Sequence, residues 1–168
     1  MTIVMPTRNK TGYQKFIHDF VNDVLVVCPQ CNNEAIVHSN FSIKKIQKED
    51  IKVTCAFCGF NKTRKALTSS ILYSRLATKT NAVLFGAPVD PFFKLPLRLQ
   101  DSINGNLLWA YNYEHLDFIR SLVEAKLRER TGQSNYNASV ASRLPRWLTS
   151  KSNRETVLKV IERLRGKI

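Results

Sequence analysis

Four cysteines in two Cys-x-x-Cys pairs constrain this chain more than any other feature. Cys28-Pro29-Gln30-Cys31 and Cys55-Ala56-Phe57-Cys58 are separated by 23 residues, and the 168-residue sequence holds no other cysteine. A Cys-x-x-Cys turn aims two sulfurs at one point. Two such turns complete a tetrahedral shell for Zn²⁺ at Zn–S ~2.3 Å. The gap slightly exceeds the common spacing of ~15–20 residues, which a longer hairpin tip accommodates. Other uses of the four thiols fit less well. Two disulfides need an oxidising compartment, and nothing directs the chain there. A thioredoxin-like pair normally occurs once, at a strand-to-helix junction. An iron–sulfur cluster also takes four cysteines, but two symmetrical turns suit zinc better. The expectation is one structural Zn²⁺ on Cys28, Cys31, Cys55 and Cys58. A closed shell leaves no position for water or substrate, which disfavours catalytic zinc. His38 could substitute as a ligand, but with four thiols present it is read as a surface residue.

The flanks read as strands. Val24–Val27 is a β-branched run entering the first pair, Ala35–His38 can return antiparallel to it, and Ile51–Thr54 alternates into the second pair. Gly59, after the last cysteine, is free to take φ > 0 and point amides at sulfur. Pro29 stiffens the first turn. Four thiolates on Zn²⁺ leave a formal charge of −2, which backbone amides and Lys52, Lys62 and Arg64 could offset. The residues V-V-C-P-Q-C and V-T-C-A-F-C-G-F resemble the zinc ribbons of the transcription-factor-B type, and those of small bacterial proteins that carry that label without an assigned activity. The resemblance covers about residues 20–66. It implies a metal-held ribbon fold and carries over no binding residue beyond the four ligands.

The rest of the chain reads as an α+β body. Residues 66–80 allow either a short helix or an extended connector. Pro88, Pro91 and Pro96 then exclude a long helix. Pro96–Gln100 and Leu107–Tyr111 read as the strands of a hairpin across Asn104-Gly105, a strong turn signal. Phe92, Phe93 and Trp109 are read as packing residues in preference to a base-stacking surface. Leu116, Ile119, Val123 and Leu127 form a helical stripe that Asn112 can cap and Gly132 can end. Asn137 can cap a short helix to about Arg143, and Pro145 breaks or restarts it. Ser152 and Glu155 match a capping box for a last helix stopped by Gly166. A helix-turn-helix is disfavoured by the long connection through Pro145. The expected architecture is therefore a flexible arm over 1–19, a four-cysteine zinc ribbon over 20–66, and an α+β body over 67–168, made of a β-hairpin and basic C-terminal helices.

Charge points to the partner. The net charge is +13, and residues 120–168 alone carry twelve basic against four acidic side chains. Such a surplus attracts polyanions, of which nucleic acid is the commonest. The expected contacts are Lys62, Arg64 and Lys65 after the ribbon, with Arg143, Arg146, Lys151 and Arg154 near the end. Trp147 and Tyr136 lie among the late cations. An acidic protein is the alternative partner, with Phe57, Phe60, Phe92 and Phe93 as interface candidates. No phosphate loop, GxGxxG, HExxH or GxSxG occurs, and His18, His38 and His115 stand apart, so no enzyme and no small-molecule substrate is expected. No run approaches ~18 apolar residues, and the start lacks a secretory h-region. The expectation is a cytoplasmic protein without a membrane partner.

Overall fold

The computed structural model describes residues 8–9, 13–40, 50–65, 83, 85–125, 127–128 and 139–166. It contains antiparallel sheets and helices, so the chain is α+β. The expected helix or connector at 66–80, the hairpin tip at 41–49, the Asn137 cap and the Gly132 stop lie outside these residues. Close contacts divide the chain into two units.

One unit is His18–Leu99 with Trp109–Asn112. Its centre is a four-stranded antiparallel meander: β2 (Asp23–Val27), β3 (Glu34–His38), β4 (Ile51–Thr54) and β5 (Asn61–Arg64). Asp23 stands opposite His38, Val37 opposite Val53, and Val53 opposite Lys62. Because alternate side chains point to opposite faces, this register gathers Val24, Val26, Ala35, Val37, Ile51 and Val53 on one buried face. The outer edge of β2 is closed by backbone from further along the chain. Leu25 N–H donates to Tyr111 O at 2.8 Å, Val27 N–H to Pro96 O at 2.9 Å, and Arg98 N–H to Leu25 O at 2.9 Å.

Two buried groups hold the 85–112 stretch of this unit. Tyr111 is fully buried, its ring centroid 5.2 Å from that of Trp109, and its hydroxyl accepts the Gly86 N–H at 2.9 Å. Burial pushes its pKa up to about 12. Asp90 is also fully buried and organises the turn that follows it. Its carboxylate accepts the N–H groups of Phe92, Phe93 and Leu95 at 2.9, 2.8 and 2.6 Å. Phe92 is buried, in keeping with a packing role and not with a surface for a protein partner. The amide of Asn112, expected as a helix cap, donates to Phe20 O and Asp23 O at 3.0 and 2.9 Å.

The other unit is Met1–Ile17, Gln100–Leu108 and Tyr113–Ile168. Its described elements include β1 (Arg8–Asn9), α1 (Tyr113–Glu124), β8 (Leu127–Arg128), α2 (Val140–Arg143), α3 (Arg146–Thr149) and α4 (Arg154–Arg165). Its Gln100–Leu108 stretch makes up most of the hairpin of β6 (Leu99–Ile103) and β7 (Asn106–Ala110). Asn104 and Gly105 turn it with φ of 49° and 78°, the left-handed pair of a type I′ turn. The first strand is thus shifted three residues along from the expected Pro96–Gln100, to Leu99–Ile103, because a two-residue turn leaves Asp101–Ile103 free to pair.

Helix α1 packs on α4 through Leu116, Ile119, Leu122 and Val123 on one side and Val157, Val160, Ile161 and Leu164 on the other. Three boundaries depart from the sequence reading. Helix α1 ends at Glu124, not near Gly132, and Leu127–Arg128 instead pair in parallel with Arg8–Asn9. A long-range strand pair here overrides helix propensity. Ser139 caps α2, its side chain accepting Ser142 N–H at 3.3 Å. The Ser152 capping box does not form: Asn153 sits at the N-cap in helical φ/ψ and gives its amide to Trp147 O at 2.9 Å. Ser152 Oγ lies 2.9 Å from Ser150 Oγ.

His115, on α1, is buried, and burial pushes its pKa down to about 3 from the ordinary 6.5. The unfolded chain therefore takes up a proton below pH ~6.5 that the folded chain refuses, so stability falls as pH drops from there toward 3. Wild type is expected to lose about 2 kcal/mol from this group between pH 6.5 and 4.5. His115→Leu should show a flatter profile by that amount in urea titrations across the same range.

Candidate metal centre

The β2–β3 and β4–β5 turns are built alike. In the first, Cys28 N–H donates to Asn33 O at 2.8 Å and Asn32 N–H to Cys28 O at 3.0 Å. In the second, Cys55 N–H donates to Phe60 O at 2.8 Å and Gly59 N–H to Cys55 O at 3.0 Å. The residue after each second cysteine is left-handed, Asn32 at φ 60° and Gly59 at φ 74°. Asn tolerates that region better than most side chains, so one turn uses Asn where the other uses Gly. The sequence reading identified Gly59 and missed Asn32; its matching position after Cys31 was the available signal.

The two turns converge. The four Sγ atoms lie within 4.8 Å of one another. Cys28 and Cys58 sulfurs are 3.6 Å apart, as are those of Cys31 and Cys55. A tetrahedral shell with Zn–S of about 2.3 Å has edges of about 3.8 Å, so the sulfur spacing is that of ligands around one ion. All four cysteines are free of disulfides. Cys28 and Cys55 are buried, while Cys31 and Cys58 are half-buried. Gln30 N–H donates to Cys28 Sγ at 3.4 Å and Asn33 Nδ2 to Cys31 Sγ at 3.5 Å. Such bonds favour the thiolate form that a metal requires.

The thiols compete for negative charge. The backbone amide of Asn33 pulls the Cys31 thiol down to about 7. The Phe60 amide does the same for Cys58, but burial and the neighbouring sulfurs outweigh it and push that thiol up to about 12. Four thiolates this close repel one another unless a cation lies between them. Cys28, Cys31, Cys55 and Cys58 can therefore hold a metal ion. Among the described residues no other group of three or more His, Cys, Asp or Glu side chains converges. His38 is not part of the cluster: it is exposed on β3, with Nδ1 2.6 Å from Asp23 Oδ1 across the sheet. His18 lies 3.6 Å from Asp19, and His115 belongs to the other unit.

The basic residues fall in both units. Lys62 and Lys65 are exposed on and just after β5. Arg64 is half-buried, and its guanidinium donates to Phe92 O, which ties β5 to the Asp90 turn. Arg143, Arg146 and Lys151 are exposed and Arg154 half-buried, all in the helical unit. Several other cations there are engaged. Arg163 pairs with Asp101 at 2.7 Å, Arg165 with Asp117 at 3.0 Å, and Arg120 with both Glu124 and Glu162. Among the described residues no carboxylate pairs with Arg146, Lys151 or Lys159. No described helix is long and apolar enough to cross a membrane.

Compared with protein-family models, curated proteins and solved structures, the chain matches none.

Proposed function

We propose that this is a non-enzymatic zinc-ribbon protein that binds nucleic acid through its exposed cations. The convergence of the four sulfurs carries the zinc part of the reading. An all-thiolate tetrahedral donor set suits Zn²⁺ and excludes hard cations. Cys28, Cys31, Cys55 and Cys58 hold the ion and fix the two turns; a complete shell leaves it a structural role. Purified protein is expected to contain one zinc per chain by elemental analysis.

The nucleic-acid part rests on the net charge of +13 and on how the cations are used. Arg120, Arg163 and Arg165 neutralise internal carboxylates, which leaves Arg146 and Lys151, with Lys62 and Lys65, turned to solvent. Cations so placed can neutralise phosphates and release counterions. Binding to a labelled duplex or single strand should therefore weaken as salt rises. For a duplex, Arg146→Glu with Lys151→Glu should lower the slope of log affinity against log salt by about two. Absence of binding at low salt would refute the reading. Protein that purifies without nucleic acid and captures one acidic protein would reassign the basic surface to a protein partner.

A further inference from the structure

We infer that the second cysteine turn is a base-stacking element: Phe57 stacks on an unpaired base, while Lys62 and Lys65 hold the adjoining phosphates of a single strand. This rests on the nucleic-acid reading above and narrows it to single-stranded ligand.

Phe57 is 70% exposed; among the described residues it and Leu107 are the exposed large apolar side chains. The fold does not require an aromatic ring there. The two turns share their hydrogen bonds and their left-handed residue, and the position equivalent to Phe57 in the first turn is exposed Gln30. The turn therefore closes equally well on a polar side chain. Space around Phe57 is open. Ala56 and Gly59 beside it are small and exposed, and a Cβ added at Gly59 would meet nothing within 4 Å. The ring is also anchored between two of the four clustered cysteines, Cys55 and Cys58, so little freedom is lost when it is engaged.

The neighbouring charge fits a strand of phosphates. Strand β5 leaves the turn with Lys62, on the face of Val53, and is followed by Lys65, three positions on and so on the other side of the chain; both are exposed. Lys52, also exposed, stands opposite Thr63 on the adjoining strand, on the face away from Lys62. Arg64 is excluded because its guanidinium is committed to Phe92 O. An aromatic face beside a basic track is the arrangement that binds single strands with little sequence preference. Bases in a duplex are already stacked and offer Phe57 no free face.

The test uses the full, zinc-loaded chain with a fluorescently labelled single-stranded oligonucleotide and a duplex of equal length. Phe57→Ala should weaken single-strand binding by about 5- to 100-fold while leaving duplex binding, zinc content and melting temperature unchanged. Phe57→Trp should retain affinity, with indole fluorescence quenched by the single strand. If Phe57→Ala binds single strands like wild type while Lys62→Glu/Lys65→Glu loses affinity, stacking is refuted and the electrostatic reading survives. Equal losses on duplex and single strand also refute stacking. Wild-type protein that binds neither form at low salt refutes both.

Discussion

Replacing Cys55 by serine is expected to abolish binding of the metal ion that the four cysteines can hold, and with it the cooperative unfolding of the β2–β5 sheet. Cys55 is buried, and its sulfur sits 3.6 Å from that of Cys31. A hydroxyl at that position does not ionise as a thiol does, so the shell loses one of its anionic donors. The cost is large because metal binding and folding are one process in such a centre. Apparent binding energies of structural zinc in small domains reach about 10–16 kcal/mol at neutral pH, comparable with the whole stability of a domain. The remaining three sulfurs are then left close together with no ion to neutralise them. With zinc as the proposed ion, elemental analysis should give one per chain for wild type and none for the variant. Chelation of wild type should reproduce the melting profile of Cys55→Ser. A variant that keeps both its zinc and its melting temperature would show that Cys55 is not a ligand.

Asp90→Ala is expected to destabilise the protein by about 3–5 kcal/mol. The carboxylate accepts three backbone N–H groups within five residues, and the substitution leaves all three without that acceptor. Phe92, whose N–H is one of them, is buried, so water cannot replace the lost bond cheaply. Lys94 sits in the same turn at φ 64°, a strained conformation held by the turn's hydrogen bonds. Its amine donates to Pro91 O at 2.9 Å. Asp90→Asn should recover only part of the loss, because one amide oxygen replaces two carboxylate oxygens. Urea unfolding of the three proteins checks the order wild type, Asn, Ala. A midpoint for Asp90→Ala within error of wild type would show that the turn closes without the carboxylate.

Much of the candidate centre could be read from the chain. The sulfurs were placed by spacing, since a two-residue turn between cysteines has few geometries. The strands showed because Val24–Val27 is a β-branched run and Ile51–Thr54 alternates, and the hairpin showed because Asn104 and Gly105 are residues that accept positive φ. Helix α1 announced its buried stripe but not its end. The residues after Glu124 have good helix propensity, and only pairing with Arg8–Asn9 draws Leu127–Arg128 into a strand. The same limit explains Ser152. Its capping box is locally sound, yet Asn153 occupies the cap and is held by Trp147 O.

Asp90 gave no sequence signal, because a buried carboxylate that serves its own turn looks like any other loop aspartate. Arg64 looked as available as Lys62 until the turn after Asp90 supplied the Phe92 carbonyl. Spacing and local pattern thus determined the sulfur cluster, the first three strands of the sheet and the hairpin, since each depends on residues a few positions apart, while the fourth strand, β5, emerged only in the structure. The tertiary structure decided which cations stay free, where α1 stops and which backbone closes the edge of β2. Those outcomes depend on partners distant in sequence, as Arg163 with Asp101 or Leu25 with Tyr111, and the cost and reward of such contacts arise only when the chain closes on itself.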